Sequence, residues 1–197
     1  MAGPVSEFEV RAKEHFAAAS RRAAELAGGD LPSLAARAGA MLAESLAAGR
    51  TVLFCGNGGS AADAQHLAAE LLGRMSGDRD PLAGLALTTD TSALTALAND
   101  YGYEEVFARQ IRGLGRRGDV LVALSTSGDS ENVVRAARTA TERGIRVVAL
   151  VGPGASRLDE HADVTLHVPG ESTGEIQQGH IVVGHLLCSL AETAAGT

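Results

Sequence analysis

Phe54-Cys55-Gly56-Asn57-Gly58-Gly59-Ser60-Ala61-Ala62-Asp63-Ala64-Gln65-His66-Leu67-Ala68-Ala69-Glu70 is the stretch on which the reading of this chain turns. The apolar run Thr51 to Phe54 leads into it and reads as a short buried strand. Three glycines at 56, 58 and 59 then turn the chain into an alanine-rich segment with helical character. A glycine turn at a helix start points backbone N–H groups at a ligand where the helix favours negative charge. One turn deeper, His66 and Glu70 are spaced i,i+4 and share a helix face. An anion cradle beside a polar pair suggests a phosphorylated small molecule with acid–base chemistry next to it.

Working outward, the same alternation continues. Strands are expected at 51–55, 83–87, 119–124, 146–151 and 164–168. Helices are expected between them near 60–75, 91–99 with 103–114, 130–143 and 155–161, with a last one over about 174–194. Strands alternating with helices predict a parallel sheet covered on both faces with right-handed crossovers. Val, Leu and Ile fill the third and fourth strands continuously, as strands buried on both faces require. Two helices precede the sheet. The first, about 5–28, carries an apolar stripe of Phe8, Ala12, Phe16 and Ala19; the second, from Leu31 to about Ala48, carries Leu34, Ala38, Met41, Leu42 and Leu46. A helical pair ahead of the first strand has little sheet to itself, so an oligomer is expected, with 1–49 as the associating pair and 50–197 as the core of a single domain.

The totals set bounds. A chain of 197 residues with 45% hydrophobic and 21% charged residues suits one soluble domain. Aromatics at 3% and a net charge of −7 argue against nucleic-acid binding. Cys55 and Cys188 are too few for a disulfide framework and read as reduced core residues. The N-terminus, with Glu7, Glu9, Arg11, Lys13 and Glu14, lacks the pattern of a secretion signal, and no apolar run approaches a membrane span. A cytoplasmic protein with no membrane partner is expected.

The glycine turn admits other readings. Gly56, Gly58 and Ala61 fit a dinucleotide fingerprint, but the acidic residue that motif needs about 20 positions on is misplaced. Asp90 stands 34 positions beyond Gly56. A plain strand-to-helix turn is the other alternative. The second polar loop shifts the balance: the buried strand ending at Leu124 runs directly into Ser125-Thr126-Ser127-Gly128-Asp129-Ser130. One of Ser127, Asp129 or Ser130 would cap the next helix, whereas Ser125 and Thr126 exceed that need. Loops after the carboxyl ends of parallel strands converge on one crevice, so a shared ligand is favoured. In the last helix, Gln177 and His185 lie about 80° apart around the axis, while His180 and His185 lie about 140° apart. His180 is therefore read as a satisfied core or interface residue.

Together, Gly56 to Asp63, His66-x3-Glu70, Asn99-Asp100, Ser125 to Ser130 and Gln177-x7-His185 resemble the sugar isomerase (SIS) superfamily and, within it, the phosphoheptose isomerase family, over essentially the whole chain. The resemblance implies a three-layer αβα sandwich with a five-stranded parallel sheet of flavodoxin-like type behind two N-terminal helices. It implies that Ser60, Ser125, Thr126, Ser127 and Ser130 hold a phosphate and neighbouring hydroxyls, that Asn57, Gly58 and Gly59 line the same pocket, and that Asn99 and Asp100 contact substrate. His66, Glu70, Gln177 and His185 match the ligands of a zinc ion, one per subunit. Gln is an uncommon ligand, so that site is expected to be weak or exchangeable. Glu70 and His185 also match a catalytic acid–base pair, and Gln177 a substrate contact. A homotetramer with interface active sites is implied, as is the conversion of a phosphorylated seven-carbon sugar, D-sedoheptulose 7-phosphate, to D-glycero-D-manno-heptose 7-phosphate. Two positions depart from the pattern: Glu175 stands where Arg is frequent, and Gln178 where Glu is frequent. A non-catalytic SIS protein, binding a replication initiator or sensing a phosphosugar, is the rival from another class. Retention of all four of His66, Glu70, Gln177 and His185 argues against it.

Overall fold

In chain order the elements are helices α1 (Pro4–Glu25) and α2 (Leu31–Ala47), strand β1 (Val52–Cys55), helix α3 (Gly59–Leu72), strand β2 (Gly84–Ala86), helices α4 (Thr91–Tyr101) and α5 (Val106–Leu114), strand β3 (Val120–Ser125), helix α6 (Glu131–Glu142), strands β4 (Arg146–Val151) and β5 (Val164–His167), and helix α7 (Thr173–Ala195). Short 3-10 turns cover Tyr103–Glu105 and Arg157–Glu160, where the sequence suggested fuller helices. This computed structural model describes residues 4–75 and 77–195, leaving the side chains of 4, 194 and 195 aside; residues 1–3, 76 and 196–197 lie outside the described part.

All five strands pair in parallel in the order β2-β1-β3-β4-β5, the flavodoxin-like order expected. Strand side chains alternate between the two faces. Val52, Phe54, Val120, Val122, Leu124, Val148 and Leu150 meet α2, α3 and α7 on one side. Leu53, Cys55, Leu121, Ala123, Val147, Ala149 and Val151 meet α5 and α6, with Leu94 and Leu97 of α4 packed at the margin, on the other. Cys55 and Cys188 are buried free thiols, both pushed up to about 12 by burial, which makes them inert packing residues.

The two leading helices part company. Rather than standing off with α1, α2 lies on the sheet: Ala35, Ala38, Leu42 and Leu46 are buried in the same cluster as the β1 and β3 side chains. Their i,i+3/i+4 spacing makes one narrow apolar face, and the small alanines let the helix approach closely. Only α1 keeps its stripe in solvent, with Phe8 63% and Phe16 71% exposed.

The two edges of the sheet differ in chemistry. At the amino edge, Asp119 accepts hydrogen bonds from the N–H of Thr51 (2.9 Å) and of Arg116 (2.8 Å), and Asp163 accepts one from the N–H of Val147 (2.7 Å). These carboxylates hold strand entrances together. At the carboxyl edge, the chain reverses its strand order between β1 and β3, and a crevice opens there. The glycine turn follows one of these strands and the serine loop the other.

Candidate active site

Gly58 takes φ +54° and ψ −120°, in the left-handed half of conformational space that a side chain would disfavour, and no side chain caps the helix it starts. The first N–H groups of α3 are therefore left for a ligand at its positive end. Gly59 is needed for a different reason. A Cβ there would fall 2.6 Å from both the nitrogen and the oxygen of the Gln177 amide, so α7 lies directly against the start of α3. Across the crevice, the Ser125 hydroxyl lies 3.1 Å from that of Ser130 and accepts the Gly128 N–H at 3.1 Å. Asn57, Gly58, Gly59, Ser60, Ser125, Thr126, Ser130 and Gln177 line one cleft of about 280 Å³, together with Leu124 and Thr173. It is a cradle of hydroxyls and helix-start N–H groups, with no carboxylate in its lining.

The residues expected to do acid–base work meet on the adjoining seam between α3 and α7. His66 Nε2 lies 2.8 Å from His185 Nε2 and 3.3 Å from Glu70 Oε1, and the three ligand-type atoms fall within 4.8 Å of one another. The rings meet edge to face, 5.0 Å between centroids. Nitrogens facing each other at that distance cannot both carry protons, so one ring presents a lone pair. Two imidazoles and a carboxylate this close are a donor set suited to zinc. The Gln177 amide, expected beside them, lies against Gly59 on the cleft side. Asp63, one turn before His66, has its carboxyl raised by burial, opposed by the two nearby imidazoles. Its Oδ2 is buried without a hydrogen-bond partner.

Other expected residues stand outside the cleft lining. The Ser127 hydroxyl accepts the Asp129 N–H at 3.1 Å and lies 3.4 Å from that of Ser125, beside the cleft. Asn99 and Asp100 are exposed on α4, hydrogen-bonded to each other at 2.8 Å. No residue of that helix is fully buried, and neither Asn99 nor Asp100 is part of the cleft lining. His180 is fully buried, as its angular offset from His185 requires; burial pushes its pKa down to about 4, opposed by an interaction with the Val151 backbone. It is the core histidine that was expected.

Several neighbours escaped the sequence reading. Thr173, in the cleft lining, opens α7. Ser172 and Glu175 form a capping arrangement in which the Glu175 carboxylate accepts the N–H groups of Glu171 (2.9 Å) and Ser172 (3.1 Å), and the Ser-x-x-Glu spacing announces it. The same carboxylate takes an ion pair from Arg22 of α1. Those N–H groups, with Arg22, hold its carboxyl below the usual range. The charge reversal at 175 thus comes with a cation from α1 in contact. Gln178, the other departure, lines a groove between α1 and α7.

Similarity to known proteins agrees with this geometry. The SIS domain family matches residues 15–152. The phosphoheptose isomerase of Rhodospirillum rubrum is 55% identical over 166 residues, which is 84% of this chain and 88% of that one. That of Neisseria meningitidis is 45% identical over 192 residues, 96% of this chain and 97% of the other. The solved phosphoheptose isomerase of Neisseria gonorrhoeae superposes with a TM-score of 0.87 at 43% identity, covering 94% of this chain and 99% of that one. With a serine- and glycine-lined cleft beside a His–Glu–His cluster, the chain belongs to the SIS domain family and, within it, to the phosphoheptose isomerases.

Proposed function

We propose that this chain is an aldose–ketose isomerase that converts D-sedoheptulose 7-phosphate to D-glycero-D-manno-heptose 7-phosphate. The observation that carries the reading is the convergence of Glu70 with His66 and His185 beside a hydroxyl-lined cleft, in a chain of this family. The cleft supplies donors to a phosphate through Ser60, Ser125, Thr126, Ser130 and the start of α3. The Glu70 carboxylate takes a proton from C1 of the open-chain ketose and returns it to C2. Between those events O2 gains a proton and O1 loses one, so the carbonyl moves from C2 to C1 through an enediol. His185 serves ring opening or the oxygen-bound proton, and its contact with His66 fixes which nitrogen is free. His66, Glu70 and His185, with Gln177 as a fourth donor, would hold zinc. Such an ion, when bound, polarises the sugar carbonyl and stabilises negative charge on its oxygen.

A homotetramer in the cytoplasm completes the proposal. Its support is the exposed Phe8 and Phe16 stripe, and the exposed Asn99–Asp100 pair outside the lining of this chain's cleft. Among the described residues no helix is long and apolar enough to cross a membrane. The test is an NMR time course on sedoheptulose 7-phosphate with and without a chelator. Growth of heptose 7-phosphate signals is expected, slowed by chelation. Glu70→Gln should cut turnover by about a thousandfold or more while phosphosugar binding survives. Unchanged substrate with the intact, zinc-supplied protein would sink the reading. A stoichiometric protein partner captured in its place would favour the non-catalytic alternative.

A further inference from the structure

The two loops that build the cleft leave the sheet on neighbouring strands, and the ladder between them ends at Cys55 and Ala123. Beyond that point a single side-chain assembly bridges them. Asn57 Nδ2 donates to Asn132 Oδ1 at 2.8 Å, and Asn132 Nδ2 donates back to Asn57 Oδ1 at 2.8 Å. Tyr103 Oη adds a third bond to Asn57 Oδ1 at 3.0 Å. Among the described residues no other hydrogen bond crosses from the glycine turn to the serine loop. Asn132 is 3% exposed and sits in the first turn of α6, two residues past Ser130. Asn57 directly precedes Gly58, whose unusual backbone starts α3.

We infer that Asn132 is a positioning residue for substrate binding: through its paired amide with Asn57, seconded by Tyr103, it sets the separation of the two phosphate-facing loops. This rests on the cleft being the phosphosugar site. A cyclic amide pair fixes distance and rotation together, because both bonds must be linear at once. It also consumes the groups that would otherwise bind ligand. The Asn57 carbonyl already accepts two donors, and one of its two N–H bonds is spent on Asn132. The side chain of Asn57 therefore orients the turn, and what its loop offers the phosphate is backbone N–H. Preorganised donors bind without first being ordered, so loss of the pair should appear in affinity.

The test uses the full-length protein. Asn132→Ala removes both bonds and is expected to raise KM for sedoheptulose 7-phosphate about tenfold. Competitive inhibition by inorganic phosphate should weaken by a similar factor, while kcat stays within about twofold and the zinc taken up is unchanged. Asn132→Asp keeps the size but offers only acceptors when ionised. Its KM ratio to the parent should fall as pH drops and the carboxyl regains a proton to donate, which a purely structural defect would not reproduce. Tyr103→Phe, at a residue 56% exposed, removes one bond without threatening the fold and should cost about threefold in KM. Hydrogen exchange in the ligand-free protein separates this inference from the functional reading. Faster exchange at both 56–60 and 125–130 in the Asn132 variants supports the clamp whatever the parent turns over. Unaltered exchange in both loops, or KM values equal to the parent's, would overturn it.

Discussion

Two sets of helices in this molecule spend their polar groups differently. Across the α3–α7 seam, almost everything is settled inside one chain. His66, Glu70 and His185 meet at the front, and behind them Arg79 is held on every side. Its Nε donates to Glu192 of α7 at 2.9 Å, and its Nη atoms donate to the carbonyls of Leu71 and Asp80 at 3.0 Å and of Glu70 at 2.9 Å. One guanidinium thus ties the last turn of α3, including the backbone of Glu70, to α7. On α1 and α4 the opposite holds: Phe8 and Phe16 face solvent, and Asn99 and Asp100 bond only to each other. The contrast teaches that His66, Glu70 and His185 are brought together within one chain, whereas the Phe8 and Phe16 stripe and the Asn99–Asp100 pair are left uncovered by it.

The largest effect on folding should come from the seam. Arg79 and Glu192 are about one-tenth exposed, so Arg79→Met would take the guanidinium from a buried carboxylate that keeps its contact with the Met75 N–H. A loss of about 3–5 kcal/mol in urea unfolding is expected. Arg79→Lys keeps the charge without the fork that spans α3 and α7, and should fall between. A loss below about 1 kcal/mol for the methionine variant would mean that the seam is held by its apolar contacts alone.

A second, smaller effect belongs to the buried side of α7. His180 titrates near 4 when folded, against an ordinary 6.5. The folded state therefore disfavours its proton, and its contribution is intact above pH 6.5. As pH falls from 6.5 towards 4, the unfolded chain binds the proton first and stability drops by up to about 3 kcal/mol. Urea midpoints measured across that range should slope downward in the parent and lose this part of the slope in His180→Leu. Equal slopes would show that the ring finds a proton acceptor on acidification.

Much of this was legible in the chain, and the reasons are local. Continuous Val and Leu runs at β3 and β4 mark strands buried on both faces, and the glycines at 56, 58 and 59 mark the turn between β1 and α3. His66 and Glu70 were readable because one helix carries both. Residues joined only by tertiary packing were not. Nothing in sequence spacing couples Arg22 to Glu175, Arg79 to Glu192 or Asn57 to Asn132, since each pair spans separate elements. The packing of α2 on the sheet was hidden for a similar reason: its apolar face fits a sheet as well as it fits another subunit, and spacing alone does not decide between them.

The uncovered helices give the finest test of the contrast. Replacing both Phe8 and Phe16 by Asp removes no contact in the core, so the single chain's unfolding free energy should move by no more than about 0.5 kcal/mol. Sedimentation should nevertheless shift from an assembled species to a smaller one, because charge placed in an apolar interface is costly to desolvate. Activity should fall with dissociation while zinc uptake persists, since His66, Glu70 and His185 belong to one chain. Asn99→Ala then asks what assembly supplies. In the assembled protein it should raise KM about threefold and leave kcat alone, the cost of one substrate hydrogen bond. Were the dissociated double variant as active as the parent, α4 would contribute nothing across subunits, and the Asn99–Asp100 pair would be an ordinary solvated surface.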